Sequence, residues 1–476
     1  MNAVRIWSQR TVRVLAFAAA AGIVLAGDAA AQDVRQAGID EATSEATYYG
    51  AVQNVLTRNC VGCHSANAAA LGGITPPMEL TSYEMARRWS SRIATAVKNN
   101  YMPPWDADVQ HQGTFKDERY ISDEDKQILI SWAEAGAPMG DPSEAEAEAV
   151  VSSADVVTRT AEVAPDGSLW RAGVPDVTFG FQEPVLVCEE VEDWQPRLPM
   201  QVVDGEITEP RWIRSMEINT GPSVHHTVSS HLGVGVPGRG PFEFPEGWGI
   251  LLTEDPYVSI SMHYHKEAGP GTAVLDDTRG GMKFYQNGDV IDHVVETNLQ
   301  GFMNFTIPAG DPNYAVYNET HFDEDIYLLS MGPHAHYRGK AVKLELKRPD
   351  SPFRETLLWI PDYDFNWQFQ YELKEPYLIP AGSTMYITWW FDNSADNPYN
   401  PDPTVEVSGG PATTDEMANA RIYFARTNPL GLVVGGDVPE EILERGRAAE
   451  DRARSRAIGW ERASQSCGVS IASRSR

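Results

Sequence analysis

From Trp170 to about Phe424 the chain alternates apolar and polar residues between turn signals such as Pro222-Ser223, Gly269-Pro270-Gly271 and Pro380-Ala381-Gly382. A period of two puts every second side chain on the same face of a strand. Sheets with one face on a core and the other in water show this alternation, and such sheets are antiparallel. The pattern therefore predicts two antiparallel β-sandwiches, 169–300 and 301–430, with Gly301 to Asp311 as the joint. The 13 Trp, 18 Tyr, 39 Gly and 32 Pro of the 476 residues suit that architecture.

The chain reads differently upstream. Residues 47–59, 81–99 and 122–136 have helical patterns, the second opening on Thr81 and Glu84 as a capping box and the third stopping at Gly136. The first runs into Cys60-Val61-Gly62-Cys63-His64, the spacing at which two thiols bond covalently to one haem while the next residue supplies an axial imidazole. A zinc half-site would need a second ligand pair nearby, and none follows. A redox dithiol would sit in a βαβ setting, which this segment lacks. Met102, in Tyr101-Met102-Pro103-Pro104-Trp105, is the expected sixth iron ligand, because two prolines constrain the loop that presents it; Met78 and Met85 compete. His/Met ligation leaves no open position and makes the haem c an electron carrier. His111 is expected at the surface.

The expected fold class is multidomain, α followed by all-β: a helical cytochrome c domain over 45–140, a linker over 141–168 rich in Ala, Glu and Ser, the two sandwiches, and a helical tail over 431–476. Residues 1–31 read as a signal peptide, with Arg5, Arg10 and Arg13 before the apolar run Val14 to Ala26 and Ala29-Ala30-Ala31 before Gln32. That implies export, in a bacterium to the periplasm. No later stretch reaches the roughly 18 apolar residues of a membrane span. Removing three Arg and one Asp with that segment leaves 35 Lys and Arg against 66 Asp and Glu. So acidic a chain is a poor partner for nucleic acid or anionic membranes; its surface either attracts a basic electron donor, such as a cytochrome, or only maintains solubility. Cys188 and Cys467 either pair in the oxidising compartment or remain thiols.

Six candidate metal ligands lie in short segments of the β region: His225-His226, His263, His334 with His336, and Met417. Residues two apart on a strand share a face, so His334 and His336 can grip one ion, as can His263 and His265. Adjacent His225 and His226 share one only if the strand is bulged. Imidazole suits Cu(II) and thioether suits Cu(I), so the mixed set points to copper that changes oxidation state.

The segments Val224-His225-His226, Met262-His263-Tyr264, Pro333-His334-Ala335-His336-Tyr337-Arg338-Gly339-Lys340, Tyr363-Asp364-Phe365-Asn366-Trp367-Gln368 and Thr414-Asp415-Glu416-Met417 occur in this order. Together they resemble the bacterial branch of the copper type II, ascorbate-dependent monooxygenases, the family of peptidylglycine α-hydroxylating and dopamine β-monooxygenases. The haem segment resembles the cytochrome c domain often fused ahead of that branch, including its Met-Pro-Pro-Trp phrase.

The resemblance implies two jelly-roll-like sandwiches with one copper on each, facing across a solvent-filled cleft. His225, His226 and His263 would hold the electron-transferring ion, and His334, His336 and Met417 the one that activates oxygen. It implies hydroxylation of a small-molecule C–H bond with O2 and two electrons from outside; the fused haem is read as the route by which a periplasmic donor would supply them, where the animal enzymes use ascorbate. A non-enzymatic copper and haem carrier, or a haem-linked dehydrogenase, are the competing classes. Gly332 stands where the peptide-amidating relatives carry an arginine, which argues against peptidylglycine as substrate. Arg421 stands where those relatives carry a tyrosine and shares a strand face with Met417 and Asn419. It either points into the cleft to hold an anionic group or pairs with a surface carboxylate. His265 is a spare ligand, a proton carrier or a surface residue.

Overall fold

The structure, a computed structural model, describes residues 46–65, 78–145 and 162–460, apart from 222, 230, 236–239, 255 and 411. The expected signal peptide, most of the expected linker and Cys467 lie outside these residues; Cys188 is disulfide-bonded. Among the described residues no helix is long and apolar enough to cross a membrane. Two compact units form, the first from 46–61, 78–103 and 121–145, the second from 62–65, 104–120 and 162–460.

The first unit is helical. A π-helical turn, Tyr48–Val52, runs into α1 (Gln53–Asn59), followed by α2 (Tyr83–Lys98) and α3 (Asp123–Glu134). Ser82, not Thr81, caps α2, its hydroxyl accepting from the Met85 amide at 3.4 Å. Ser122 caps α3 in the same way at 3.0 Å, with Asp123, Glu124 and Asp125 in the positive first turn. Gly136, at φ +83°, ends the run beyond α3. Tyr48, Leu56, Leu129 and Trp132 are buried at the centre, and the indole of Trp132 donates to the Pro138 carbonyl.

The second unit is β-rich. Its first half contains β1 (Val177–Gly180), β2 (Asp193–Trp194), β3 (Arg197–Pro199), β4 (Gln201–Asp204), β5 (Arg211–Asn219), β6 (Val224–Ser229), β7 (Trp248–Leu252), β8 (Ser259–His265) and β9 (Arg279–Phe284). Its second half contains β10 (His293–Phe302), β11 (Tyr314–His321), β12 (Ile326–His334), β13 (Gly339–Lys347), β14 (Arg354–Ile360), β15 (Tyr371–Ile379), β16 (Thr384–Phe391) and β17 (Ala418–Arg426). In the first half, β8 pairs with β6, β2 and β3, and this sheet packs on β7-β5-β9-β1-β4 over a core that includes Ile213, Met216, Ile260, Met262 and Met282. In the second, β11-β16-β13-β14 packs on β15-β12-β17-β10 around Leu328, Leu344, Leu358, Ile387 and Trp389. Among the described strands every ladder within either half is antiparallel; one isolated bridge, Gly409↔Glu416, is parallel. The halves are joined by one parallel contact, Trp248↔His293 and Gly249↔Val294, which makes a single sheet run through both.

Three expectations need correction. First, β10 pairs with β17 from Val295↔Ala425 to Phe302↔Ala418, so the second sandwich starts at His293 and Gly301 lies within a strand rather than at a joint. A Cβ at Gly301 would collide with Ala418 and Asn419, so glycine there permits close backbone approach. Secondly, 45–140 is not one body: Pro104–Tyr120 belongs to the second unit. Trp105 packs edge-on to Tyr371 at 5.1 Å, and Phe115 is fully buried beside it. Thirdly, His111 in that segment is buried, its Nε2 accepting from the Trp359 amide at 2.9 Å. The tail forms α4 (Glu440–Trp460), which packs Ile442 against Trp212 and Leu251 and buries Glu450 under the amide and hydroxyl of Thr253, at 3.1 and 2.6 Å.

Candidate metal centre

β6 and β8 bring three histidines together. The ladder runs Met262↔Thr227 and His263↔His226 and then steps to Tyr264↔Val224, leaving His225 as the extra residue of a bulge. The bulge turns its side chain to the face His226 occupies, which a regular strand forbids for neighbours. All three rings are buried. Nδ1 of His225 lies 3.0 Å from Nδ1 of His226 and 3.3 Å from Nδ1 of His263. Ligand nitrogens about 2 Å from a shared ion stand roughly 3–3.5 Å apart, so this set fits one metal ion.

The proton positions agree. Nε2 of His263 lies 2.8 Å from the Asp193 carboxylate, so it carries the proton and leaves the Nδ1 lone pair for an ion. Burial pushes the Asp193 carboxyl up, but the hydrogen bond from His263 at 2.8 Å and the nearby His265 imidazole outweigh it and hold the group far below the usual carboxylate range. Burial, together with the neighbouring imidazoles, keeps His225 and His226 neutral by lowering their pKa values well below the ordinary one. His265 sits at the rim, 39% exposed, with Nδ1 3.7 Å from Asp193.

The second group lies at the end of β12. His334 Nδ1 is hydrogen-bonded to the Gln368 side-chain oxygen, and His336 Nδ1 to the Asp415 carbonyl at 3.1 Å. Both acceptors require Nδ1–H, so these two histidines present Nε2 to an ion, the reverse of the first group. Burial lowers their pKa values to about 4 and about 3. The Tyr363 hydroxyl accepts from the Ala335 amide and donates to its carbonyl, both at 3.1 Å, which fixes the backbone between the two histidines. Met417 precedes β17 by one residue and stands two before Asn419, the cross-strand partner of His334. Glu416, just before Met417, is fully buried and accepts from the amides of His336 at 2.9 Å and Arg338 at 2.6 Å. It thereby ties the histidine segment to the methionine. Burial pushes its carboxyl up to about 8.

A cleft of about 480 Å3 runs between the sandwiches, with His226, His263, His334 and Met417 in its lining together with Asn419 and Arg421. The two groups adjoin, the rings of His226 and His334 lying edge to face at 5.5 Å. Asp193 also bridges the cleft by accepting from Thr413 Oγ1 at 3.0 Å, and Gln195 donates to the same hydroxyl. Phe365 crosses from the second sandwich to stack on His225 at 4.7 Å. Sequence reading missed Asp193 altogether, and it quoted Tyr363, Phe365 and Gln368 without assigning what each holds.

No family model matches the chain, and no curated protein matches it. Solved structures found similar include the VP2 subviral particle of infectious bursal disease virus, at 8% identity over 59% of this chain and 88% of that one, with a TM-score of 0.16. A second is the T=1 particle derived from infectious bursal virus, at 9% identity over 60% of this chain and 88% of that one, with a TM-score of 0.15. Likeness at this level carries no argument about fold or function.

Proposed function

We propose that the chain is a periplasmic copper- and haem-dependent monooxygenase of the copper type II, ascorbate-dependent kind. One observation carries the reading: two histidine groups, one presenting Nδ1 and the other Nε2 and lying close to a methionine, adjoin in one cleft large enough for a small molecule. The donor set suits copper, which would supply one-electron chemistry with O2 when bound. The overall balance is a C–H bond, O2, two electrons and two protons giving C–OH and water.

The chain's own residues do the positioning. Asp193 orients His263, Gln368 and the Asp415 carbonyl orient His334 and His336, and Tyr363 and Glu416 hold the backbone between the ligands. Asn419 and Arg421 face the same cleft and are the substrate-binding residues of the proposal. The haem would be attached through Cys60 and Cys63, neither of which is in a disulfide, with His64 and Met102 as axial ligands. The Cys60 amide closes the last turn of α1 on the Leu56 carbonyl at 2.8 Å, and the His64 side chain is buried, a setting that suits attachment at a helix end. Electrons would enter there.

Copper titration of the full chain tests the metal half of the proposal. Two ions should bind per chain, His263→Ala should lose one, and Met417→Ala should abolish turnover while the haem spectrum stays intact. Full activity in Met417→Ala would remove that residue from the site.

A further inference from the structure

A regular antiparallel ladder puts neighbouring side chains on opposite faces, so His225 joins His226 only because the register of β6 against β8 steps by one residue between His263 and Tyr264. Sliding β6 back into regular register would turn His225 away from the other two histidines. The step therefore has to be held, and a buried carboxylate stands beside it.

Asp276 ends the short strand Val274–Asp276 and is fully buried. Its Oδ2 accepts from the Tyr264 hydroxyl at 2.7 Å, and its Oδ1 accepts from the Thr278 hydroxyl at 2.9 Å. Thr278 Oγ1 in turn accepts from the Gly221 amide at 3.1 Å. Tyr264 is the first residue of β8 beyond the step, and its ring stacks on Trp194 at 5.4 Å, which fixes where the hydroxyl lies. Gly221 lies in the turn leading into β6, and its carbonyl accepts from the Val224 amide at 3.2 Å. A Cβ at position 221 would collide with Asp276 Oδ1, so glycine lets the turn close on the carboxylate. Burying a carboxylate against neutral hydroxyls costs stability relative to an apolar residue. What it offers is two acceptor oxygens on one rigid group, one for each strand that supplies the histidines.

We infer that Asp276 is a positioning residue of the three-histidine group: it ties Tyr264 of β8 to the turn before β6, which holds the register step and keeps His225 on the face of His226 and His263. It acts through His225 and touches no ligand itself. The inference rests on the reading of these histidines as a copper site.

Copper affinity of the full chain, measured by competition with a chelator, tests it. Asp276→Asn keeps the shape but offers a single acceptor oxygen, so affinity at the three-histidine group should fall about 10–100-fold. Tyr264→Phe keeps the ring and the carboxylate, should act in the same direction, and carries the test if Asp276→Asn does not fold. Affinity at His334, His336 and Met417 should change by less than about twofold. A double-mutant cycle separates positioning from support. His225→Ala removes the ligand that the step positions, so adding Asp276→Asn or Tyr264→Phe to it should cost less than about a further twofold; the losses multiply if Asp276 only supports the sandwich. In His334→Ala, which weakens the second group, the spin-echo modulation of bound Cu(II) should lose one coupled imidazole on Asp276→Asn, a change that lost stability alone does not produce. The inference is overturned if the single variants leave affinity unchanged, if both groups weaken alike, if the losses multiply in the cycle, or if the imidazole count stays the same. An unmodified chain that binds no copper at these histidines removes the metal reading together with this inference, whereas intact binding with multiplied losses removes this inference alone.

Discussion

Phe365, carried by the second sandwich, lies over the His225 imidazole of the first with centroids 4.7 Å apart and planes 22° from parallel. The same ring meets Tyr337 at 4.7 Å and His263 at 5.6 Å and is 4% exposed. One aromatic side chain thus braces two candidate ligands from across the cleft. Phe365→Ala should cost about 3–5 kcal/mol of stability by leaving a cavity. It should also weaken copper binding at His225, His226 and His263 more than at His334, His336 and Met417. Urea unfolding and competition with a copper chelator measure the two effects, and unchanged affinity at the first group would contradict the bracing role.

Asp193 acts on the same group by a different route. Its carboxylate fixes the tautomer of His263 at 2.8 Å and reaches Thr413 on the other sandwich at 3.0 Å. Asp193→Asn should reduce the affinity of the three-histidine group by about 10–100-fold, the usual effect of losing a ligand's orienting partner. Affinity at the methionine-containing group should hardly change. Equal losses at both groups would mean that the residue supports the cleft as a whole.

His231 tests the packing of α4. Burial lowers its pKa to about 4, and the Glu450 carboxylate at 3.9 Å is too far for a hydrogen bond. An unfolded histidine titrates near 6.5, so between about pH 6.5 and 4 the unfolded chain binds a proton that the folded chain does not. The stability contributed by the neutral imidazole is complete above that window and is lost as pH falls through it, by about 1.4 kcal/mol per pH unit. His231→Gln should flatten the pH profile of unfolding by that slope; an unaltered profile would contradict it.

For the haem, Met102→Ala should lower the midpoint potential while leaving covalent attachment intact, because thioether ligation raises the potential. A redox titration with an unchanged midpoint would place the sixth ligand elsewhere.

Much of the scaffold is legible in the sequence because alternation reports directly on which strand face meets a core. The pairing of His334 with His336 is legible for the same reason, and adjacent His225 and His226 can share an ion only on a bent or bulged strand, a condition that β6 meets with its bulge at His225. The orienting groups are not legible, because they come from distant parts of the chain. Asp193 is 70 residues from His263, and Gln368 is 34 from His334. No local pattern marks Asp193, and the motif that contains Gln368 does not say which ligand it orients. Trp105 misleads for a related reason: its neighbours in sequence belong to the haem phrase, while its ring packs on Phe369 and Tyr371.

The most direct measurement is turnover of the copper-loaded full chain under 18O2, with a reductant and a broad panel of small molecules. The account predicts one 18O atom in a hydroxylated product. Oxidation without label would make the chain a dehydrogenase, and no turnover across the panel would make it a carrier; either result would contradict a monooxygenase.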